Sequence, residues 1–377
     1  MGPALAELEG DPTAAHAELR ASGPVAWVAS LGAWLVVGRA AALEVMRDAA
    51  TYTVDDERFT TARVLGASML STDGDEHGRH RAPFARRFRR RAVLDGLSAG
   101  VAAETDRLLD ALLREGARRG ELRDAFAAPL SARVAADALG LSGLGTDEVL
   151  GHYEAIVAAV TDATAGRPLR REGLDAAAGL RAAMGPGVAD PGDLTDEEAR
   201  ANAAVLLFGG IETTEGMLLN ALAHLLAEPE ALARARADRT VLQAAVEESL
   251  RLEPSAATVD RYATRDVELA GSPIRRGDLV TVSLRAANRD PEIFPDPDRF
   301  DVDRPNSRLH LAFAAGPHVC LGMHLARLEA HTALGALLVR LPGLAVDARA
   351  DRPDPVGLVF RRPRALHVTW EREGTDG

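Results

Sequence analysis

Along the chain the apolar positions change period twice. Near the start, two short runs at 26–30 and 34–38 alternate around Leu31, Gly32 and Ala33, which predicts a β-hairpin. From about residue 76 to 217 a spacing of three and four takes over. It predicts helices over 101–118, 125–139, 147–163 and 197–226, with another over 239–252. Pro, Gly and β-branched residues then predict short strands at 267–270, 272–276 and 279–282. The stretch 288–317 is rich in Asp, Pro and Arg and predicts an ordered loop. Connections of that length in a compact fold usually carry function. This one leads straight to a cysteine and a last helix, 321–341, before short strands at 358–360 and 366–370. No tandem repeat or flexible linker divides the chain, so 1–377 reads as a single domain, mainly α with small β-sheets.

Composition narrows the chemistry. Hydrophobic residues make up 47% and charged residues 27%, the balance of a globular protein. A net charge of −12 argues against nucleic acid, whose binding needs a broad basic face. The apolar stretch 25–38 is too short to span a bilayer and is interrupted by Ser30, Gly32 and Trp34. No membrane anchor or targeting segment is expected, and the protein reads as soluble and cytoplasmic. All 44 basic residues are Arg. Without Lys, Schiff-base chemistry and a GxxxxGK[ST] phosphate loop are excluded. Gly143 and Gly145 lack the third glycine of a dinucleotide loop. One cysteine, Cys320, rules out an internal disulfide and a multi-thiolate zinc site.

A lone cysteine is either a small buried hydrophobe or a site, and its surroundings decide. Phe313, Gly316, Pro317, His318, Cys320 and Gly322 run directly into an apolar-periodic helix. A sulfur at a helix N-terminus meets amide N–H groups that favour its thiolate. Gly316 and Gly322 permit a tight turn and the close approach of a flat ligand. A second irregularity sits inside the apolar helix around 197–226, where Gly209 and Gly210 are adjacent. Each costs a helix roughly 1 kcal/mol relative to Ala. They serve either close helix packing or the approach of a planar cofactor. Glu212 and Thr213 follow at once, an acid and a hydroxyl able to pass protons. The Thr hydroxyl can also bond back to a carbonyl one turn earlier.

The patterns F-x-x-G-x-[HR]-x-C-x-G over 313–322 and [AG]-G-x-[DE]-T over 209–213 resemble the two signature motifs of bacterial cytochrome P450s, haem-thiolate monooxygenases of the ferredoxin-dependent type. The resemblance runs through nearly the whole chain. It implies the cytochrome P450 fold, with haem b between the long central helix and the Cys-loop helix, and Cys320 as axial ligand. A thiolate ligand pushes electron density onto the iron and favours O–O cleavage. Gly209, Gly210, Gly316 and Gly322 would border the haem, with Phe313 packed near the sulfur. His77 and Arg81, in the family's H-x-x-x-R pattern, would face the propionates together with Arg261 and His318. Glu212 and Thr213 would deliver protons, which favours dioxygen over peroxide as oxidant. Glu248 and Arg251, one helical turn apart, would form a buried structural triad with Arg299. His77 and His80 also read H-x-x-H, but no third metal ligand is evident near them.

The resemblance further implies the partners. Arg86, Arg87, Arg89, Arg90 and Arg91 are either a solvated helix face or a docking patch for an acidic ferredoxin, itself reduced by a ferredoxin reductase. Family topology puts Val64, Met69, Leu206, Thr258, Val259 and Leu358 around a small-molecule pocket. The expected reaction inserts one oxygen atom from O2 into a largely apolar organic substrate, by hydroxylation or epoxidation, in bacterial specialised metabolism. The same haem chemistry could instead close a ring or couple two carbons without inserting oxygen. A haem-based binder or sensor would need neither Glu212 nor Thr213. The chain departs from the family in two places. Ala314 stands where Gly is usual, and the segment 185–193 before the central helix is short.

Overall fold

The computed structural model describes residues 2–114, 118–164, 166–185 and 192–371. Most of the short segment 185–193 therefore lies outside the described residues. The chain begins with α1 (Leu5–Glu9), α2 (Thr13–Ser22), the hairpin β1 (Val25–Val28) and β2 (Ala33–Val36), α3 (Arg39–Arg47) and β3 (Tyr52–Thr53). A helical block follows: α4 (Thr60–Leu65), α5 (Gly74–Ala85), α6 (Arg90–Leu113), strand β4 (Arg119–Glu121), α7 (Ala128–Ala138), α8 (Thr146–Thr164) and α9 (Arg171–Ala183). A π-helical turn, Arg123–Ala127, runs into α7 where the periodicity predicts one uninterrupted helix. Next come α10 (Asp196–Ala227), α11 (Pro229–Ala237) and α12 (Arg239–Leu252). Strands β5 (Thr258–Ala263), β6 (Val267–Leu269), β7 (Ser272–Ile274) and β8 (Leu279–Ser283) lead to the short α13 (Leu284–Ala287). The chain closes with α14 (Met323–Arg340), β9 (Ala345–Val346) and β10 (His367–Thr369).

The strands form three sheets, of order β1-β2-β8-β5-β3, β4-β10-β9 and β6-β7. Among the described residues only the β2–β8 pairing is parallel; it brings the chain's first hairpin against a strand some 240 residues later. At 358–360 there is an isolated bridge, Ala256 to Phe360, rather than a strand. Gly357, at φ +120, with a pseudo-Cβ position only 2.1 Å from the Phe360 carbonyl oxygen, bends the chain there.

Helix α10 is the axis of the helical block. Thr195 and Glu198 close its start in a capping box, each satisfying the other's orphan amide. Over 32 residues it has apolar side chains on every face, as a helix enclosed by others must. It packs against α7, α12 and α14.

The loop before the cysteine is irregular but closely held, because side chains supply the donors that its carbonyls need. Arg251 donates to the carbonyls of Asn288, Pro297 and Arg299 at 3.1, 2.7 and 3.0 Å, and grips Glu248 in a fork at 2.8 Å. Arg304, not Arg299, completes this triad. Its Nε lies 2.9 Å from Glu248 Oε1, and it donates to the carbonyls of Pro295, Asp296 and Arg299. Asp296, at φ +47, turns the chain so that Arg299 points its side chain to solvent and offers only its carbonyl inward.

A second arginine clamp joins the two ends of the chain. Glu253, just after α12, accepts from Arg285 at 2.9 Å and Arg361 at 2.6 Å. Arg361 in turn donates to the carbonyls of Gly10, Pro355 and Gly357. The Gly357 amide closes the contact on the Glu9 carbonyl at 2.8 Å.

Candidate active site

Between α10 and the loop that precedes α14 lies a cavity of about 330 Å³. Cys320 opens onto it from one side, Gly209, Gly210 and Thr213 from the other. The Cys loop is built to fix the sulfur. The Cys320 amide donates to the Phe313 carbonyl at 2.9 Å, closing the loop 313–320 on itself. Gly316 sits at φ +73, and a Cβ there would lie 2.2 Å from the Met46 carbonyl oxygen of α3. Glycine is therefore required on both counts. Ala314 also takes a left-handed backbone, φ +57, where the usual glycine would be unstrained.

Beneath the loop, Arg327 lies 4.5 Å from the centre of the Phe313 ring and forks onto Glu247 at 2.6 and 2.9 Å. His310 reaches the same carboxylate at 3.2 Å. Burial pushes the Cys320 thiol up, while the Gly322 and Met323 amides and the Arg81 and Arg327 guanidiniums favour its thiolate.

Two cations, the buried Arg261 and the half-buried Arg81, face this cavity without a carboxylate in salt-bridge range among the described residues. Arg81 donates to the Val319 carbonyl at 2.7 Å and Arg261 to the Asp260 carbonyl at 2.7 Å; neither makes a salt bridge among the described residues. Burial pulls both guanidiniums below their ordinary range. His318 also lines the cavity and meets Asp73 at 2.7 Å. His77 does not line it. Its ring lies between the carbonyls of Met69 and Pro317, at 2.8 and 3.2 Å, and packs at a tilt against His318 with ring centres 4.3 Å apart, so it braces the Cys loop from behind. His80 instead meets Asn202 and Glu76, so the two histidines do not converge on one ion.

On α10 the two glycines have different neighbours. A Cβ on Gly209 would meet nothing within 4 Å and would project into open space, whereas one on Gly210 would press on Ala135 of α7 at 3.1 Å. Both readings of the pair, cofactor approach and helix packing, therefore find an observation. Thr213 donates back to the Gly209 carbonyl at 2.6 Å. Glu212 is buried behind the cavity wall, where it accepts from the Tyr153 hydroxyl and lies 3.5 Å from Arg362.

Of the expected pocket residues, Met69, Leu206, Thr258 and Val259 line the cavity. Val64 and Leu358 do not. Val64 turns into the helical core, and Leu358 packs outward on the cluster of Leu8 and Leu35. Its neighbours Val359 and Phe360 take the wall instead. Thr60 and Thr164, which no spacing in the sequence marks, also line the cavity and meet at 3.3 Å between α4 and α8. The arginines 86, 87, 89, 90 and 91 are all exposed where α5 passes to α6.

These features match a known architecture at every level. The cytochrome P450 family model fits residues 165–355. The chain is 36% identical to the cytochrome P450 monooxygenase PikC of Streptomyces venezuelae, over 99% of its own length and 94% of that protein. It is 33% identical to pentalenic acid synthase of Streptomyces avermitilis, over 96% and 94%.

The chain belongs to the cytochrome P450 family.

The crystal structure of CYP109E1 from Bacillus megaterium with testosterone superposes with a TM-score of 0.86 at 25% identity, covering 97% of this P450 and 99% of that one. The protein is thus a haem-thiolate oxidoreductase with the P450 fold, and Cys320 is the axial ligand of its haem iron. The cavity suits that group: a single sulfur, a side-chain-free helix face opposite it, and two guanidiniums, Arg81 and Arg261, that form no salt bridge among the described residues. No helix among the described residues is long and apolar enough to cross a membrane.

Proposed function

We propose that this P450 inserts one oxygen atom from O2 into a largely apolar small molecule of bacterial specialised metabolism, by hydroxylation or epoxidation. The observation that carries this reading is that Thr213 and Cys320 line one apolar-walled cavity, with Glu212 one residue from Thr213. When bound, haem supplies the redox chemistry of dioxygen activation. The chain's own residues do the rest. Arg81, Arg261 and His318 hold the propionates, and a guanidinium forks well onto a carboxylate. Phe313, Gly316 and Gly322 fix the sulfur. Thr213 holds a proton at Oγ1, and Glu212 supplies it after turning from Tyr153. Met69, Leu206, Val259 and Phe360 exclude water and orient the substrate. PikC and pentalenic acid synthase, named after enzymes of Streptomyces, support the metabolic setting.

Electrons reach the haem from a ferredoxin and its reductase, docked on the exposed arginines 86–91. Residues 1–377 act as one P450 domain, and the protein works in the cytoplasm. A substrate screen by the ferric Soret shift, followed by product mass, tests the reading. Gain of one oxygen is the expected result; loss of hydrogen alone would mean coupling or ring closure. Thr213→Ala should let electrons be consumed without product, and full coupling in that variant would refute the proton role.

A further inference from the structure

Behind the cavity, α10 carries another acid for which the reading above has no use. Glu215 stands three residues beyond Glu212, so both carboxylates leave the helix on the same side. Both are buried, and they share their surroundings. Arg362 Nε lies 3.5 Å from Glu212 Oε1 and 3.2 Å from Glu215 Oε1. Tyr153 of α8 donates to the other Glu212 oxygen. Arg123, on the π-helical turn, donates to Glu215 Oε1 at 2.7 Å and to Asp124 at 2.8 Å. Asp124 is 75% exposed. A line of ionisable groups thus runs from Glu212 through Arg362, Glu215 and Arg123 to solvent.

Three buried polar atoms along this line make no hydrogen bond among the described residues: Glu215 Oε2, the Ser255 hydroxyl and Arg362 Nε, which only pairs in charge with the two carboxylates. Ser255 lies against Gly216, where a Cβ would come within 2.7 Å of its oxygen. Buried polar atoms left without protein partners are where internal water is held. Burial pushes the Glu215 carboxyl up to about 7, against the pull of Arg362 and Arg123 and with the Glu212 carboxylate adding to the rise. Near neutral pH the group therefore exchanges its proton readily.

We propose that Glu215 supplies protons to Glu212, taking them from solvent water at the Arg123–Asp124 edge. Each transfer moves one proton from the Glu215 carboxyl to the Glu212 carboxylate. It leaves Glu215 ionised, to be reprotonated from water. Glu215 touches neither cavity nor substrate, so it is a positioning and supply residue acting through Glu212. The inference rests on the reading of Glu212 and Thr213 as the proton-delivering pair.

The test uses the haem-loaded protein and two readouts. Infrared difference spectra across about pH 5 to 9 should show carboxyl bands that titrate near neutrality, from Glu215 and from Glu329, which burial pushes up to about 8. Glu215→Gln should abolish the first and keep the Glu329 band, and Glu212→Gln should keep both. Arg123→Gln keeps the test open if Glu215→Gln does not fold, and it should move the titration upward because Arg123 holds the group down. In turnover, Glu215→Gln should lower product formed per electron pair by about ten-fold and flatten its pH profile around neutrality, with partial rescue by Glu215→Asp. A set of near-neutral bands unchanged by Glu215→Gln, or an unchanged pH profile, overturns the inference. If Glu212→Gln and Thr213→Ala uncouple while Glu215→Gln does not, only the supply role falls. If none of the three uncouples, the proton-delivery reading falls with it.

Discussion

Arginines 299 and 304 lie five residues apart in one loop, and their replacement by Ala should have opposite outcomes. Arg304 is buried, with its Nε on Glu248 and its other nitrogens on three carbonyls. Arg304→Ala removes a charge-assisted bond and leaves the Pro295 and Asp296 carbonyls short of donors. Breaking a buried ion pair costs about 3–5 kcal/mol. Because Arg251 still faces Glu248 at 2.8 Å, the low end, about 3 kcal/mol, is expected. Arg299 contributes only its backbone carbonyl, which Ala retains, so Arg299→Ala should change stability by no more than about 0.5 kcal/mol. Urea unfolding of the haem-loaded proteins measures both. Haem transfer to excess apomyoglobin adds a second readout, since this loop leads directly to Cys320. A loss at Arg299 equal to that at Arg304 would refute the triad as drawn.

Three further outcomes are expected. Gly316→Ala forces a Cβ against the Met46 carbonyl at 2.2 Å with the backbone at φ +73. It should cost about 2–4 kcal/mol and disturb the reduced carbon-monoxide spectrum, and a normal spectrum with full stability would count against the docking of the loop on α3. Ala314→Gly should instead stabilise by about 0.5–1 kcal/mol, visible as a raised Tm, by relieving a left-handed alanine. Burial raises the Glu253 carboxyl, but Arg285, Arg361 and Arg289 hold it down to about 2. Its folded value lies below the unfolded value of about 4.3, so the stabilisation is full above that pH and disappears as pH falls toward 2, about 3 kcal/mol in all. Glu253→Gln should be weaker at neutral pH and lose most of this acid sensitivity; unchanged acid sensitivity would refute the assignment.

What the sequence revealed follows from where its information is local. The long helices are legible because apolar periodicity persists over many turns, so 239–252 and 197–226 match α12 and α10 to within a residue. The Cys loop is legible because a tight turn at a helix start needs particular residues at fixed offsets. Strand β5 escaped notice because its six residues alternate weakly and its partners, β3 and β8, lie far along the chain. The choice of Arg299 over Arg304 failed for a related reason: spacing gives no sign that Asp296 reverses the loop. Val64 and Leu358 lie beside the cavity in sequence, yet side-chain direction, set by tertiary packing, turns each away. Tyr153, the partner of Glu212, comes from a helix with no motif at all.

The Arg361 clamp has a consequence for selectivity. Val359 and Phe360 form part of the cavity wall, and the next residue is tethered to carbonyls at the very beginning of the polypeptide. Trimming the first ten residues would remove the Gly10 carbonyl that Arg361 grips and so cut that tether. The damage should register as a looser grip on substrate, a broader spread of oxidised products from an enzyme whose iron ligand is untouched.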